Sequence, residues 1–143
     1  QKMEEFYDKK EVGALGISNC YDLDVLKYLF NNAKVKPSIV QNRFYAQSDY
    51  DKEIRSFCNE NQITYESFWS LTANPNILSD EVLQNLALKY ERGVAEIFYR
   101  FLNHINIVPL NGTTSLKHMI EDLKIGEFKL TREEINSIYN LLN

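Results

Sequence analysis

The feature that most constrains this chain is the regular alternation of short apolar runs with amphipathic segments of helical period. Four runs are predicted to be strands: residues 13–18, 38–41, 63–68 and 105–109. Each is followed by a polar or aromatic loop and then by apolar residues at helical spacing. This order predicts parallel strands joined by right-handed crossovers. The predicted fold class is therefore α/β, either a small open sheet or half of an eight-stranded barrel.

Capping signals predict where the helices begin. Four polar residues are predicted N-caps, namely Asp22, Ser48, Ser115 and Thr131, and a further helix is predicted from Ser79. Thr131 with Glu134 forms a capping box, and Ser48 with Asp51 comes close to one. Residues 94–102 are apolar on nearly every side, which predicts a buried helix. The first strand has no polar alternation, which predicts burial on both faces. Residues 1–10 have a helical pattern without an N-cap, so we expect further chain upstream.

Length and charge limit the classes of function. The 143 residues fit a single domain over residues 1–143 that is large enough to bury a core. A net charge of -4 argues against a nucleic-acid surface. No apolar run approaches the roughly 18 residues that a membrane span needs. Cys20 and Cys58 lack metal-ligand or disulfide spacing, so we expect a reducing compartment, the cytoplasm.

Amides, hydroxyls and aromatic rings follow the predicted strands. Because ligands of parallel α/β folds meet the carboxyl ends of the strands, these residues are candidates for one shared site. They are Ser18, Asn19, Gln41, Asn42, Phe68, Trp69, Asn111, Gly112, Thr113 and Thr114. The amides suit a heterocycle that carries a carboxamide, the rings suit stacking, and the loop before Ser115 suits a phosphate. The set predicts a nucleotide-cofactor site rather than a reaction centre, and it contains no metal-ligand pattern.

Each of these groups also has a simpler structural explanation. Ser18 and Asn19 fit a cap on the following turn, and Phe68 and Trp69 fit a hydrophobic core. The segment at residues 111–114 fits an ordinary turn, because Asn and Gly favour turns for local reasons. Cys20 is explained by packing, since no base can be assigned to it. The sequence leaves these alternatives open.

Several segments nevertheless carry a family resemblance. GISN at residues 16–19, KVKP leading to Gln41, YESFWSLTANP at residues 65–75, VPLNGTTS at residues 108–115 and FKLTREEI at residues 128–135 resemble the C-terminal half of aldo-keto reductases. The resemblance covers essentially the whole chain in the family's order. It implies half of a (β/α)8 TIM barrel with four strands. It also implies an enzyme that reduces aldehydes or ketones to alcohols with NADPH.

The resemblance also implies roles for individual residues. Ser18, Asn19 and Gln41 would hold the nicotinamide carboxamide, and Phe68 would stack on the ring. The pyrophosphate would lie along Trp69, Ser70 and Leu71. The adenosine end would be surrounded by Asn111, Gly112, Thr113, Thr114, His118, Glu121 and Asp122. His118 stands where an arginine usually binds the 2′-phosphate, so the choice between NADP and NAD is open. The family's catalytic tetrad belongs to upstream strands, so no catalytic residue is expected here.

Two functions follow as hypotheses. The chain is the cofactor-binding half of an NAD(P)H-dependent oxidoreductase, inactive alone, whose small carbonyl substrate the sequence does not specify. Alternatively, it is a non-catalytic half-barrel that acts as a binding or assembly subunit. A half-barrel exposes two sheet edges and, we expect, an apolar interior, which a second copy or a partner chain would cover. An open flavodoxin-like sheet is disfavoured, because its glycine-rich first turn is missing.

Overall fold

The computed structural model describes residues 2–142 and shows a parallel sheet flanked by helices. Gln1 and Asn143 lie outside the described residues. The predicted domain includes both of them, and the first predicted helix includes Gln1. The strands are β1 (Gly16–Ser18), β2 (Ile39–Arg43), β3 (Thr64–Phe68) and β4 (Ile107–Pro109). The α-helices are α1 (Lys2–Asp8), α2 (Leu23–Asn32), α3 (Lys52–Glu60), α4 (Pro75–Ser79), α5 (Glu81–Tyr90), α6 (Val94–His104), α7 (Leu116–Leu123) and α8 (Arg132–Tyr139). Short 3₁₀ segments cover Ala46–Asp51, Ile125–Glu127 and Asn140–Leu142. No helix among the described residues is long and apolar enough to cross a membrane.

The strands pair in chain order. The sheet runs β1-β2-β3-β4, and every pair is parallel, which confirms the α/β prediction. The register places Ser18 beside Gln41, Gln41 beside Glu66, and Glu66 beside Val108. Residues that share a register row point to the same face of a sheet, so these four side chains form one row across it.

The two faces of the sheet differ in polarity. Val40, Tyr65 and Ile107 form a buried row on the face that the helices cover. The opposite face carries the row from Ser18 to Val108, which includes Gln41 and Glu66. The half-barrel is expected to have an apolar interior. That expectation is wrong for this row of the open sheet face, where only Val108 is apolar.

The first strand is more exposed than its composition suggests. Gly16 and Ser18 are exposed, and only Ile17 is partly buried. The prediction of burial on both faces is wrong, because β1 is an edge strand with β2 on one side and no described strand on the other.

The hydrophobic core lies between the sheet and the helices. Helix α6 is its centre, with Ile97, Phe98, Phe101 and Leu102 fully buried. This confirms the predicted buried helix. At the N-terminus of this helix, the Glu96 carboxylate accepts a hydrogen bond from the backbone N–H of Gly93 at 2.8 Å. Helix α6 packs against β4, and its Phe98 ring lies 6.3 Å from the Phe44 ring that follows β2.

Three predicted caps are confirmed, and one is wrong. Asp22, Ser115 and Thr131 each accept a backbone N–H of the helix that follows. The helix predicted from Ser79 begins at Glu81 as α5, with Asp80 as its cap, because the loop predicted at residues 72–76 runs into an additional short helix, α4.

The wrong cap is at Ser48, where no capping box forms. Asp49, Tyr50 and Asp51 all have left-handed backbones, with φ of 49°, 51° and 52°, and α3 begins only at Lys52. The Asp51 carboxylate is not a cap. It is buried and accepts hydrogen bonds from Asn42 and Tyr65 instead.

Candidate functional site at the carboxyl ends of the strands

The ends of β1 and β2 bring three predicted site residues together. Ser18 Oγ donates to the Gln41 carbonyl at 3.0 Å, and Asn19 Nδ2 donates to Ser18 Oγ at 3.2 Å. Tyr21 OH donates to Asn19 Oδ1 at 3.3 Å. Asn19 has a φ of 56°, a left-handed conformation that asparagine tolerates better than most residues. This hydrogen-bonded chain holds the amide of Asn19 in a fixed orientation.

Gln41 is oriented by a carboxylate. Its Nε2 donates to Glu66 Oε2 at 2.9 Å across the β2–β3 pair. Because the amide nitrogen is engaged, the Oε1 atom is left as an acceptor without a hydrogen bond to any residue between 2 and 142. An amide oriented in this way can accept a hydrogen bond from a ligand amide.

Asn42 does not belong to the site, although it also ends a predicted strand. It is fully buried on the helix-covered face, as strand alternation after Gln41 requires. Its Nδ2 donates to the Cys20 carbonyl and to Asp51 Oδ2, both at 2.7 Å, and its Oδ1 accepts from Cys20 N at 2.9 Å. Asn42 therefore acts on the site indirectly, by holding the loop that follows Ser18 and Asn19.

Phe68 and Trp69 end β3 in different environments. Phe68 is partly buried and faces the same side of the sheet as Gln41 and Glu66. Trp69 is 57% exposed, so it is not a core aromatic residue. Its φ of 57° is rare for a bulky side chain and is unfavourable by about 1–3 kcal/mol. Backbone strain of this kind at a strand end is typical of functional sites.

A cavity of about 580 Å³ opens between the loops after β3 and β4. A volume of this order is usual for a small-ligand site. The residues around it are Trp69, Ser70, Leu71, Thr72, Tyr99, Leu110, Asn111 and Gly112. It unites five of the predicted site residues, whereas Gln41 and Phe68 do not line it. Ser70 is buried, and its Oγ lies 2.8 Å from Ser67 Oγ.

The loop after β4 folds back on the start of α7. Asn111 Nδ2 donates to Asp122 Oδ2 at 2.7 Å, and Thr113 Oγ1 lies 3.5 Å from His118 Nδ1. Burial raises the pKa of Asp122, as does the negative charge of Glu121, while His118 opposes the shift. These contacts place four predicted adenosine-end residues side by side.

The other three predicted residues of this end are less engaged. Glu121 faces Lys117 at 3.6 Å, and Gly112 and Thr114 are exposed. No group of acidic, histidine and cysteine side chains within residues 2–142 could hold a metal ion.

Sequence reasoning missed three residues that the structure brings to the site. Arg43 and Glu66 share a sheet face with Gln41 and Phe68. The sequence could have predicted this, because Arg43 is two residues after Gln41, Glu66 is two residues before Phe68, and alternate residues of a strand point to the same face. Tyr99 enters from α6, and burial together with Asp122 raises its pKa to about 12. No local sequence signal marks Tyr99, because it reaches the cavity only through helix packing.

A parallel sheet flanked by helices, with a cavity at its carboxyl edge, defines the α/β class of protein. Within that class the chain belongs to the Aldo/keto reductase family, which matches residues 1–143. It is 28% identical to glyoxal reductase of Bacillus subtilis, over 95% of this chain and 48% of that protein. It is also 28% identical to aldose reductase B of Dictyostelium discoideum, over 99% of this chain and 45% of that protein. The chain therefore spans about half the length of the curated relatives it matches.

Solved structures show the same relationship. An aldo-keto reductase from a deep-sea metagenome library superposes with a TM-score of 0.88 at 25% identity, over 99% of this chain and 52% of that one. The NADPH complex of an aldo-keto reductase known from the silkworm Bombyx mori shares the fold, with a TM-score of 0.80 at 20% identity over 96% of this chain and 45% of that one. Four parallel strands matched to about half of each neighbour agree with the predicted half-barrel.

Proposed function

We propose that this chain is the C-terminal, cofactor-binding half of an NAD(P)H-dependent aldo-keto reductase that reduces aldehydes or ketones to alcohols. The observation that carries the proposal is the cavity at the strand ends, where residues of the β3 and β4 loops converge. The oriented amides of Asn19 and Gln41 lie at the carboxyl ends of β1 and β2 in the same sheet. The catalytic proton donor and its partners are supplied by residues outside this chain.

The residues present fit such a cofactor. Gln41 offers a free amide oxygen to a carboxamide, and Phe68 offers a ring face on the same side of the sheet. The cavity lined by Trp69, Ser70 and Leu71 has room for a pyrophosphate. When bound, the dinucleotide supplies the hydride. The chain's own residues bind the dinucleotide and orient it, and this binding is their contribution to the rate of carbonyl reduction.

We further propose that NADP is the preferred cofactor, with NAD as the alternative. The supporting feature is His118, which is held beside Thr113 near the start of α7 and is exposed to a ligand phosphate. A ring N–H of this imidazole can donate a hydrogen bond to a 2′-phosphate oxygen. His118→Ala should therefore weaken NADP binding more than NAD binding.

A titration with NADPH, followed by nicotinamide fluorescence, tests the cofactor proposal. We expect saturable binding, with Gln41→Ala and Phe68→Ala weakened about tenfold or more and Asn61→Ala, on the far end of α3, unchanged. Aldehyde reduction by the chain alone should be negligible. Absence of NADPH binding by a folded chain would refute the proposal, and steady-state turnover would refute the assignment of catalysis to other residues.

A second candidate function is assembly, and the open edges of the sheet favour it. At the β1 edge, a cavity of about 630 Å³ is lined by Met3, Leu15, Ile17 and Tyr28, among others. At the β4 edge, Val108 and four large apolar side chains of α7 are exposed. We propose that the other half of a barrel or a second copy of this chain covers these surfaces. Sedimentation velocity tests this second proposal. If the chain stays monomeric up to high concentration and, without NADPH, binds no separate chain that carries the other half of a barrel, the result argues against assembly.

We also place the protein in a reducing compartment, the cytoplasm. Both cysteines are free and buried in the described structure. Burial raises the pKa of the Cys20 thiol and raises that of Cys58 to about 12, so neither is poised for disulfide exchange. Fractionation of cells that express a tagged chain would test the location directly.

A further inference from the structure

A guanidinium stacked on aromatic rings lies at the carboxyl edge of the sheet. Arg43 is the last residue of β2 and pairs in register with Phe68. Its Cζ atom is 4.2 Å from the centroid of the Trp69 ring and 5.2 Å from that of Tyr45. Both distances are within the range of cation–π attraction. The two rings therefore hold the cation at the strand ends.

The hydrogen-bonding capacity of this guanidinium is unused. Within residues 2–142, no hydrogen bond or ion pair joins the Arg43 side chain to another residue, and its Nε is buried without an acceptor. Arg92, by contrast, reaches Glu96 at 3.3 Å and Glu127 at 3.0 Å. A guanidinium carries five N–H donors in a planar fork, and leaving buried donors unpaired is unfavourable. An oxygen anion brought by a ligand would satisfy them.

Trp69 links this cation to the cavity. Its ring contacts Arg43 and also lines the space between the β3 and β4 loops, together with Ser70 and Leu71. No acidic side chain lines that cavity. Deeper on the same sheet face, Glu66 places a carboxylate beside Gln41. The charge pattern therefore disfavours an anion near Gln41 and favours one at the outer edge, next to Arg43 and Trp69.

We propose that Arg43 binds the pyrophosphate of the dinucleotide, with the Trp69 ring as the platform that fixes its guanidinium. This rests on the proposed function and adds the group that recognises the cofactor's charge. The planar fork matches phosphate oxygens in a bidentate arrangement, which a lysine cannot reproduce. Strand alternation places Arg43 on the same sheet face as Gln41, but only strand pairing brings its guanidinium to Trp69.

Calorimetric titration tests the proposal with four probes: NADPH, ADP-ribose, inorganic pyrophosphate and the dicarboxylate succinate. For Arg43→Gln we expect about a tenfold to hundredfold weaker binding of NADPH and ADP-ribose, and loss of pyrophosphate binding. Arg43→Lys should be intermediate. Arg100→Gln is the matched control, because Arg100 also has a buried, unpaired Nε but lies on α6 and does not line the cavity. Its affinities should be unchanged.

The outcomes separate this proposal from the function on which it rests. NADPH binding that is equal in Arg43→Gln and the unmodified chain overturns the role of Arg43 and leaves the cofactor proposal standing. Binding of succinate but not of pyrophosphate also overturns it, in favour of a substrate carboxylate as the ligand. If the folded, unmodified chain binds neither NADPH nor pyrophosphate, both proposals fail. Circular dichroism of each variant establishes that it is folded.

Discussion

Replacing Asn42 with leucine should show how strongly the loop after β1 depends on one buried amide. Asn42 is fully buried and makes three hydrogen bonds, two with the Cys20 backbone and one with the Asp51 carboxylate. Leucine has the same branching and the same number of side-chain heavy atoms, so the change removes the hydrogen bonds without opening a large cavity. It also leaves the Cys20 backbone and the Asp51 carboxylate with fewer partners in the protein interior.

The expected loss follows from these contacts. The two bonds with Cys20 are neutral and contribute about 1 kcal/mol each, and the bond to the carboxylate contributes about 2 kcal/mol. Asn42→Leu should therefore lower the free energy of unfolding by about 4 kcal/mol, a large part of the roughly 5–15 kcal/mol typical of a folded domain. Tyr65→Phe, which removes only the bond between Tyr65 OH and Asp51, should cost about 2 kcal/mol.

Urea unfolding, monitored by circular dichroism and by the fluorescence of the single tryptophan, measures both losses. Hydrogen exchange adds a local readout, because the Cys20 amide should lose its protection in Asn42→Leu. Asn61→Leu is the matched control, since Asn61 is only partly buried and makes one side-chain hydrogen bond, to the Phe57 carbonyl. A loss below about 1 kcal/mol in Asn42→Leu, with Cys20 still protected, would refute the role given to this amide.

Three further predictions concern single residues. Removing the ring in Phe68→Ala should raise the Kd for NADPH about tenfold through lost stacking, as measured by fluorescence titration. Burial, with Asp51 and Cys20, raises the pKa of Cys58 to about 12, so mass spectrometry should find it unalkylated by iodoacetamide at pH 8 until the chain unfolds. Burial opposes ionisation of Glu134, but hydrogen bonds from Lys89 and Tyr90 outweigh it and lower its pKa. A carboxyl whose pKa is lowered by folding stabilises the fold at pH values above its unfolded-state pKa. Glu134→Gln should therefore be less stable than the unmodified chain at pH 7. Urea unfolding should show that this difference in stability disappears below about pH 4.

Much of the architecture follows from local signals in the sequence. The alternation of apolar runs with helical periodicity gives four parallel strands in chain order, as the structure shows. Asp22, Ser115 and Thr131 cap helices because a short polar side chain needs only the backbone of the next turn. Strand-end position also predicts that residues such as Asn111 and Trp69 gather at one edge, since parallel strands finish on the same side.

The tertiary structure decided the features that depend on distant residues. Asp51 does not cap α3, because Asn42 and Tyr65 hold its carboxylate in the interior and force the preceding turn into a left-handed path. The polarity of the open sheet face depends on register, which pairs Gln41 with Glu66.

The contact between Arg43 and Trp69 also depends on the tertiary structure. It joins side chains from the ends of two different strands. Local patterns in a sequence report only on neighbours within a few residues, because capping and periodicity act over one or two turns. Contacts between residues far apart in the chain form only when the whole sheet is assembled, and they decided which side chains face the site.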